Sequence, residues 1–347
     1  MSPETARKPR VSRPVALGRR RGRTLVLSVW LVVALGACSD EDELPESRRR
    51  CDLGRSNDQG VAGHDLAAST RLPDGRVLFV FGDTYLGSVD GDVRRSTGLV
   101  NSSGALLPER ADICSRSLTY LTDGDDRVRA LLPDPEVRGT AFWPVDVTVV
   151  GEKVWMLYRW VERIGDGALE LRVRGTGLAV ADSSELEFEP ASDLLVKGPR
   201  PLPTALGSRD DELLGLVCEG TRGDDRCRLR TIDTDSTEIG DPRPEPSLEL
   251  AAPEMSVAEV ELDGRRRWRV SSMPGLSCVL RIAVRVDDRW EQRTVLEPDV
   301  EGRLCYAGRV QEAFSTEARL VVTWVDTAKR RSDADRYWPH VEVIDLR

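Results

Sequence analysis

The sequence predicts an all-β protein built as a five-bladed β-propeller. Three observations lead to this prediction. Short apolar or alternating runs recur between turns rich in Gly, Asp, Pro and Ser. No long segment has the apolar periodicity of a helix. The runs also fall into five similar groups of strands, at residues 60–110, 117–190, 200–240, 250–297 and 303–347.

Tight-turn signals separate the strands within these groups. Examples are the VVGEK segment at residues 149–153, Asp263-Gly264 and Asp287-Asp288. Small antiparallel sheets repeated at this spacing are typical of a propeller, in which the innermost strands line a central channel and ligands bind at one mouth. One large sandwich or two β domains are the alternatives, because the groups share little sequence.

The N-terminal region has the order of elements that is typical of a bacterial lipoprotein signal. A basic cluster at residues 19–23 precedes an apolar run at residues 24–37, which is shorter than the roughly 20 residues of a membrane-spanning helix. The run ends in Leu35-Gly36-Ala37-Cys38, which resembles a lipobox with lipid added to Cys38. An ordinary signal peptide followed by a chance cysteine is the alternative.

We therefore expect a lipoprotein signal peptide at residues 1–37, a lipidated cysteine and solvated tether at residues 38–54, and a single propeller domain at residues 55–347. The segment after Cys38 is too charged to bury a core. The lipid would bind the protein to a membrane, and Ser39 resembles a signal for outer-membrane sorting. A bacterial cell-envelope or cell-surface location follows.

Charge and cysteine content narrow the choice of partners. The net charge of −9 argues against a nucleic-acid partner. We also expect the protein to be a monomer. With Cys38 lipidated, six of the seven cysteines remain, an even number that suggests disulfides in an exported protein. Chain order predicts the pairs Cys51–Cys114, Cys218–Cys227 and Cys278–Cys305. A thiolate zinc site is the alternative, although the sequence has no CxxC motif.

The main candidates for chemistry are Asp65 and Asp83. Asp65 lies near the start of one strand, Asp83 closes the next, and a Pro-Asp-Gly turn at residues 73–75 separates them. Both aspartates therefore lie toward the open end of a hairpin, where they can face one cavity. Glycoside hydrolases use two such carboxyl groups, one as acid and one as base or nucleophile. Alternatively, each aspartate only accepts backbone hydrogen bonds in a turn.

Side chains around this pair are predicted to bind substrate. Trp143 can stack on a sugar ring and Asp146 can hold a hydroxyl, although packing between blades and a turn hydrogen bond explain them equally well. His64 alternates to the face opposite Asp65, so it either supports Asp65 from behind or fills a gap. Tyr306 and Arg309 can reach the channel from the last group. The full predicted set is His64, Thr84, Tyr85, Trp143, Asp146 and Arg159.

The segment VLFVFGDTYLG at residues 77–87 resembles the signature of the bacterial domain of unknown function 4185 family. Residues 64–69 and 142–158 are similar to that family too. The resemblance implies a five-bladed propeller related to arabinan-cleaving glycosidases, since some members are endo-D-arabinanases of glycoside hydrolase family 183. It implies that Asp65 and Asp83 are the catalytic pair. We expect Asp83, which follows the more apolar strand, to have the raised pKa and to act as the acid.

Two functions are compatible with these features. The leading hypothesis is a surface-anchored glycoside hydrolase that cleaves a furanosidic polysaccharide such as D-arabinan. The alternative is a non-catalytic propeller lipoprotein that binds a glycan or a protein, because the third carboxylate used by many five-bladed glycosidases is not identifiable. We expect no cofactor and no metal site. Analogy with related glycosidases allows a structural calcium ion, although no Asp-rich calcium loop is present.

Overall fold

Five antiparallel sheets follow one another along the chain, and this arrangement confirms the predicted five-bladed β-propeller. The computed structural model describes residues 44–346 with gaps at residues 57–58, 166–169, 192–193, 199–201, 220–225, 244–245, 251, 253, 301–302, 328–332 and 336. The predicted signal peptide at residues 1–37 and the lipidated Cys38 lie outside the described residues. Within them, no helix is long and apolar enough to cross a membrane.

The strands are distributed over the blades in chain order. The first strand is β1 (Ser47–Asp52). Blade 1 contains β2 (Val61–Arg71), β3 (Val77–Asp90), β4 (Val93–Val100), β5 (Ser103–Leu107) and β6 (Thr119–Tyr120). Blade 2 contains β7 (Thr140–Val150), β8 (Lys153–Arg163), β9 (Leu171–Asp182), β10 (Glu189–Pro190) and β11 (Val196–Lys197). Blade 3 contains β12 (Leu202–Arg209), β13 (Glu212–Glu219), β14 (Arg226–Ile232) and β15 (Ile239–Pro242). Blade 4 contains β16 (Met255–Leu262), β17 (Arg265–Ser272), β18 (Leu280–Val286) and β19 (Arg289–Leu296). Blade 5 contains β20 (Cys305–Val310), β21 (Arg319–Asp326) and β22 (His340–Asp345). Short 3₁₀ turns occur at Pro274–Leu276 and Glu312–Phe314.

The first strand of each blade is its innermost strand. These five strands, β2, β7, β12, β16 and β20, contact one another in sequence, and β20 returns to β2. The remaining strands of each blade are added outward from this ring. The inner strands therefore surround the central channel, as the repeated strand groups predicted.

The second strand of blade 1 is apolar on both faces because it lies between two other blades. Its even-numbered side chains, Leu78 and Val80, pack in a cluster with blade 2 residues such as Met156. Its odd-numbered side chains, Phe79 and Phe81, pack in a different cluster with blade 5 residues such as Trp338 and Val341. The unbroken apolar run at residues 77–81 is thus a strand whose two faces are both buried.

The N-terminal strand completes the last blade. β1 pairs antiparallel with β22, from Ser47 opposite Ile344 to Asp52 opposite His340. The sequence prediction differs here, because it placed these residues in the solvated tether of residues 38–54 and began the propeller at residue 55. The first four residues of β1 are exposed. A strand at the edge of a sheet can be charged when its side chains face water, so the lack of apolar residues, which suggested a tether, is compatible with a strand.

Three disulfides join the pairs that chain order predicted. Cys51–Cys114 connects β1 of blade 5 to the β5–β6 loop of blade 1, so it fastens the two ends of the ring. Cys218–Cys227 joins directly opposed residues of β13 and β14. Cys278–Cys305 joins blade 4 to blade 5. The three predicted pairs are confirmed, and a thiolate zinc site at these cysteines is excluded.

Candidate active site at the channel mouth

Polar and aromatic side chains gather where the inner strands begin. Asp65 lies in the first half of β2, Glu254 immediately precedes β16, and Tyr306 is the second residue of β20. The pairing register is interrupted near this level in β2, β7, β12 and β20. Such bulges often occur beside active sites, because they redirect side chains that a regular strand would point elsewhere.

A bulge in the hairpin of blade 1 brings the two predicted aspartates together. Between two regular pairs, Asp65 of β2 alone lies opposite both Gly82 and Asp83 of β3. Residues opposite each other in an antiparallel pair project to the same face, with Cβ atoms about 4.5–5.5 Å apart. Asp65 and Asp83 therefore face one space, and both are partly exposed to solvent.

The backbone next to Asp65 is strained. Leu66 and Ala67 have φ values of 75° and 64°, in the left-handed region that side chains with a Cβ disfavour. At this point a second register shift, between Leu66 and Ala68, brings β2 and β3 back into step. Conformations of this kind cost about 1–3 kcal/mol each and persist only where the surrounding packing fixes them, which is common at functional sites.

Two tyrosines and one glycine fix the Asp65 carboxyl group. The hydroxyl of Tyr306 donates a hydrogen bond to Asp65 Oδ2 at 3.2 Å, and that of Tyr337 donates to the same oxygen at 3.0 Å. On the other side, a Cβ atom at Gly82 would overlap Asp65 Oδ1 and lie 3.3 Å from Asp65 Cγ. Position 82 must therefore lack a side chain for Asp65 to occupy this place.

The electrostatic environment makes Asp65 a weak acid. Burial, followed by the negative charges of Asp83 and Glu254, raises the pKa of Asp65 well above its usual value, and the two tyrosine hydrogen bonds oppose this rise. The sequence prediction assigned the raised pKa to Asp83, whereas in the structure it is the pKa of Asp65 that is raised. The reason is that the Asp65 carboxyl group is largely buried and lies near two other carboxylates, those of Asp83 and Glu254.

Glu254 adds a third carboxyl group near Asp65, one that the sequence did not reveal. Burial raises the pKa of Glu254, while the charges of Arg159 and Arg309 and a hydrogen bond from the backbone N–H of Ala307 oppose the rise. Ala307 has a φ value of 53°, and it lies at the register shift of β20. The bulge in blade 5 thus directs a backbone donor to a carboxylate of blade 4.

The two tyrosines remain hydrogen-bond donors. Burial first, and then the charge of Asp65, raises the pKa of Tyr306 and of Tyr337 well above the usual value for a phenol. Both hydroxyl groups therefore keep their protons, and neither has the lowered pKa that an attacking phenolate needs. Their role in this geometry is to orient the Asp65 carboxyl group.

Asp146 has a different place from the one that the sequence suggested. It is 4% exposed, and its carboxylate accepts hydrogen bonds from Arg309 Nη1 at 3.1 Å and from the backbone N–H groups of Val147 and Leu206 at 3.0 and 2.9 Å. Burial raises the pKa of Asp146 to about 6, and Arg309 and these N–H groups oppose the rise. Asp146 therefore connects blades 2, 3 and 5 instead of holding a sugar hydroxyl. Arg309 reaches the channel as predicted.

His64 and Thr84 also lie away from the shared space. The His64 side chain is fully buried, with its ring 3.8 Å from that of Phe81 and 5.2 Å from that of Trp338. Burial and the nearby Arg94 lower the pKa of His64 to about 3, so the ring is neutral. Thr84 is fully buried and shares a hydrogen bond with Ser103 Oγ at 2.7 Å. The gap-filling interpretation of His64 fits this geometry, whereas substrate contact fits neither residue.

Tyr85, Trp143 and Arg159 lie around the carboxylates. The Tyr85 ring is 5.1 Å from the ring of Tyr337, which itself binds Asp65. Trp143 and Arg159 are opposite each other on β7 and β8, so they share one face. Burial lowers the pKa of Arg159, and the charge of Glu254 opposes that change. Trp143 is half-buried and offers an aromatic surface beside this arginine.

Sequence reasoning missed Glu254 and Tyr337. Glu254 precedes a predicted strand within a Pro-Glu-Met segment, and position relative to an inner strand was the only signal that could have marked it. Tyr337 lies in the loop before β22, and its backbone oxygen accepts a hydrogen bond from His64 N at 2.8 Å. That long-range contact attaches the loop of blade 5 to blade 1, and no local pattern encodes it.

Within the described part of the chain, no cluster of three or more His, Cys, Asp or Glu side chains is arranged to hold a metal ion.

Sequence comparison finds similarity to a different family from the one that residues 77–87 suggested. The model of the family described as domain of unknown function (DUF5005) matches residues 53–196, which span blades 1 and 2. The resemblance to the 4185 family was therefore wrong in the family that it named. The matched segment contains Asp65 and Asp83 but not Glu254. No curated protein sequence matches the chain.

Solved structures share the fold at low sequence identity. A provisionally named hydrolase from Bacteroides ovatus ATCC 8483 has a TM-score of 0.59 and 16% identity, covering 82% of this chain and 86% of that one. The family 117 glycoside hydrolase Zg3597 from Zobellia galactanivorans has a TM-score of 0.51 and 10% identity, covering 87% and 92%. A protein of unknown function from Dyadobacter fermentans DSM 18053 has a TM-score of 0.50 and 8% identity, covering 87% and 100%. At these identities the similarity establishes the propeller fold alone.

Proposed function

We propose that this protein is a glycoside hydrolase in which Asp65 is the acid and Asp83 is the base or nucleophile. One observation carries the proposal: a partly exposed carboxyl group with a raised pKa lies directly opposite a second carboxyl group. Glycosidic cleavage needs two carboxyl groups in unequal environments, because one must be protonated while the other is charged.

In the proposed reaction, protonated Asp65 donates its proton to the oxygen of the leaving sugar as the glycosidic C–O bond breaks. The Asp83 carboxylate either removes a proton from a water that attacks the anomeric carbon, or attacks that carbon itself to form a glycosyl-enzyme. In the second case, a water deprotonated by Asp65 then hydrolyses the glycosyl-enzyme, which releases the sugar and restores both carboxyl groups. Tyr306 and Tyr337 orient the acid through Oδ2. The geometry thus accounts for each proton that the reaction moves.

Glu254 is a positioning residue in this scheme. Its negative charge contributes to the raised pKa of Asp65, so it favours the protonated acid at neutral pH. Arg159 and the Ala307 N–H stabilise the charge on Glu254 itself. Loss of Glu254 would lower the pKa of Asp65 and shift activity to a lower pH.

We propose a furanosidic polysaccharide, with D-arabinan as the first to test, as the substrate. The half-buried Trp143 supplies an aromatic face for a sugar ring, and Tyr85 supplies a second ring beside Tyr337. No contact in the site selects D-arabinan over other polymers. The substrate panel must therefore include pyranosidic polymers.

The test is release of oligosaccharides from a panel of arabinans and other polysaccharides. We expect wild-type protein to cleave one of them and Asp65→Asn and Asp83→Asn to lose about 10³-fold or more of that activity, because each removes an essential carboxyl group. Asp90→Asn is the matched control, since Asp90 is an exposed aspartate at the far end of the same strand β3. Its activity should stay within about twofold of wild type.

Two results would contradict the proposal. Cleavage that persists in both Asp65→Asn and Asp83→Asn would remove the pair from the reaction. Retention on a glycan without cleavage of any polymer would favour the alternative, a propeller that only binds glycans.

We also propose that Cys38 carries a lipid that holds the protein at the bacterial cell envelope. The basic, apolar and small-residue order of residues 19–38 supports this location. Metabolic labelling with a fatty acid should mark the wild-type protein and not Cys38→Ser. Equal labelling of the two proteins would refute lipidation at this residue.

A further inference from the structure

A second concentration of charge lies at the opposite end of the inner strands. A cavity of about 240 Å³ on blades 3 and 4 is lined by Trp268, Asp287 and five arginines, namely Arg209, Arg265, Arg266, Arg267 and Arg285. Arg209 ends β12 and Arg265 opens β17, whereas Glu254 precedes β16. With a rise of roughly 3.3 Å per residue, the length of β16 separates this arginine cavity from the carboxylates by about 25 Å.

Part of the positive charge in the arginine cavity is balanced by neighbouring acids. Arg209 forms an ion pair with Glu259 at 2.5 Å, and Arg266 forms ion pairs with Glu259 and Asp210. The side chains of Arg265 and Arg267 have no hydrogen bond or ion pair to any residue that the structure describes, and only their backbones pair with β16. Two guanidinium groups thus face the cavity without an acid, in a protein whose net charge is −9.

Trp268 lies against the arginine cavity and helps to fix one of its arginines. Trp268 is 1% exposed, and its indole Nε1–H has no hydrogen-bond partner among the described residues. The guanidinium carbon of Arg209 lies 4.3 Å above the indole ring, so a cation–π contact fixes both side chains.

We propose that the arginine cavity binds an anionic group of an acidic polysaccharide. Guanidinium groups only donate hydrogen bonds, so their ligand must be an acceptor such as a carboxylate or a sulfate. The volume is below the roughly 300–1,000 Å³ of pockets for drug-sized ligands, so it suits one charged group and not a whole oligosaccharide. Anion binding in the arginine cavity does not depend on the proposed hydrolase activity. Only the choice of a polysaccharide as the carrier of the anionic group rests on that proposed function.

The test measures binding of the full chain at low and physiological salt. The probes are polygalacturonate for carboxylate, dextran sulfate for sulfate, neutral dextran and duplex DNA. Asp65→Asn and Asp83→Asn are present throughout so that cleavage cannot interfere. Arg265→Gln with Arg267→Gln removes the two unpaired arginines. Arg281→Gln with Arg293→Gln is the matched control, because these exposed arginines lie at the other end of the same sheet.

We expect polygalacturonate or dextran sulfate to bind and the cavity double variant to weaken that binding about tenfold or more, because each lost arginine removes charge-assisted hydrogen bonds. The control double variant should change it by less than about twofold. Arg267→Lys should also weaken binding, since lysine keeps the charge but loses the planar fork. The proposal fails if both double variants lose binding equally, if neither acidic polysaccharide binds, or if DNA binds more tightly than both.

Discussion

Gly82→Ala tests whether the position of the Asp65 carboxyl group matters for function. The added Cβ would overlap Asp65 Oδ1 and lie 3.3 Å from Asp65 Cγ and 3.8 Å from Oδ2. The carboxyl group cannot rotate away freely, because Tyr306 and Tyr337 hold Oδ2. Relief of the overlap therefore requires a shift of roughly 1 Å, and a displacement of that size costs about 10²-fold in rate.

The assay compares kcat/KM of Gly82→Ala and wild type on the polysaccharide that the wild-type protein cleaves. Gly98→Ala is the control in the same blade, since the nearest atom to its added Cβ is Leu86 Cδ1 at 3.6 Å, an ordinary contact. We expect Gly98→Ala to keep its activity within about twofold, because it needs no rearrangement. Circular dichroism and thermal unfolding would establish that both variants are folded.

The reasoning would be refuted by a folded Gly82→Ala variant with full activity. That outcome would mean that Asp65 is either not the acid or not fixed by the contacts described. A variant that fails to fold would be combined with Asp65→Ala, which removes the carboxyl group that the new Cβ overlaps. Recovery of the fold in this double variant would support a local clash between positions 82 and 65, and a double variant that still misfolds would refute it.

Two further predictions concern pH. Tyr306→Phe removes a hydrogen bond that favours charged Asp65, so the pKa of Asp65 should rise further. The alkaline limb of the kcat/KM profile should then move to higher pH. An alkaline limb at the same pH as in wild type would contradict this prediction. Burial opposes protonation of His340, but hydrogen bonds to Asp326 and Asp52 raise its pKa above 6.5. His340→Gln should therefore cost about 1.5–3 kcal/mol of unfolding free energy below pH 6.5, and the difference should shrink as pH rises through the folded-state pKa. Urea unfolding at several pH values measures it, and a pH-independent difference would refute the charged pairing.

Local sequence pattern was sufficient to predict the blades. Each blade is a run of short strands with turns between them, and the alternation and the turn residues are encoded within about 50 residues. The disulfides followed from chain order because each joins elements close in sequence or at the closure of the ring. The hairpin of Asp65 and Asp83 was predictable for the same reason, since both strands and their turn are contiguous.

The remaining site residues depend on contacts between distant blades. Tyr306 and Tyr337 reach Asp65 across more than 240 residues of sequence, and Arg309 reaches Asp146 across 163. The sequence pattern of a strand predicts which side chains alternate between its two faces. It does not predict where a bulge changes the direction of those side chains. The raised pKa was predicted for Asp83 instead of Asp65 for this reason, because the burial and the neighbouring carboxylates that raise the pKa of Asp65 depend on the bulge and on Glu254 of another blade.

The most direct test of the account is a ¹³C NMR titration of the Asp65 carboxyl group in wild type, Asp83→Asn and Glu254→Gln. We expect Asp65 in wild type to titrate well above the usual value of about 3.9 and each variant to lower its pKa, because each removes a negative charge from its surroundings. A wild-type pKa near 3.9, or one that neither variant changes, would contradict the claim that these three carboxyl groups form one site.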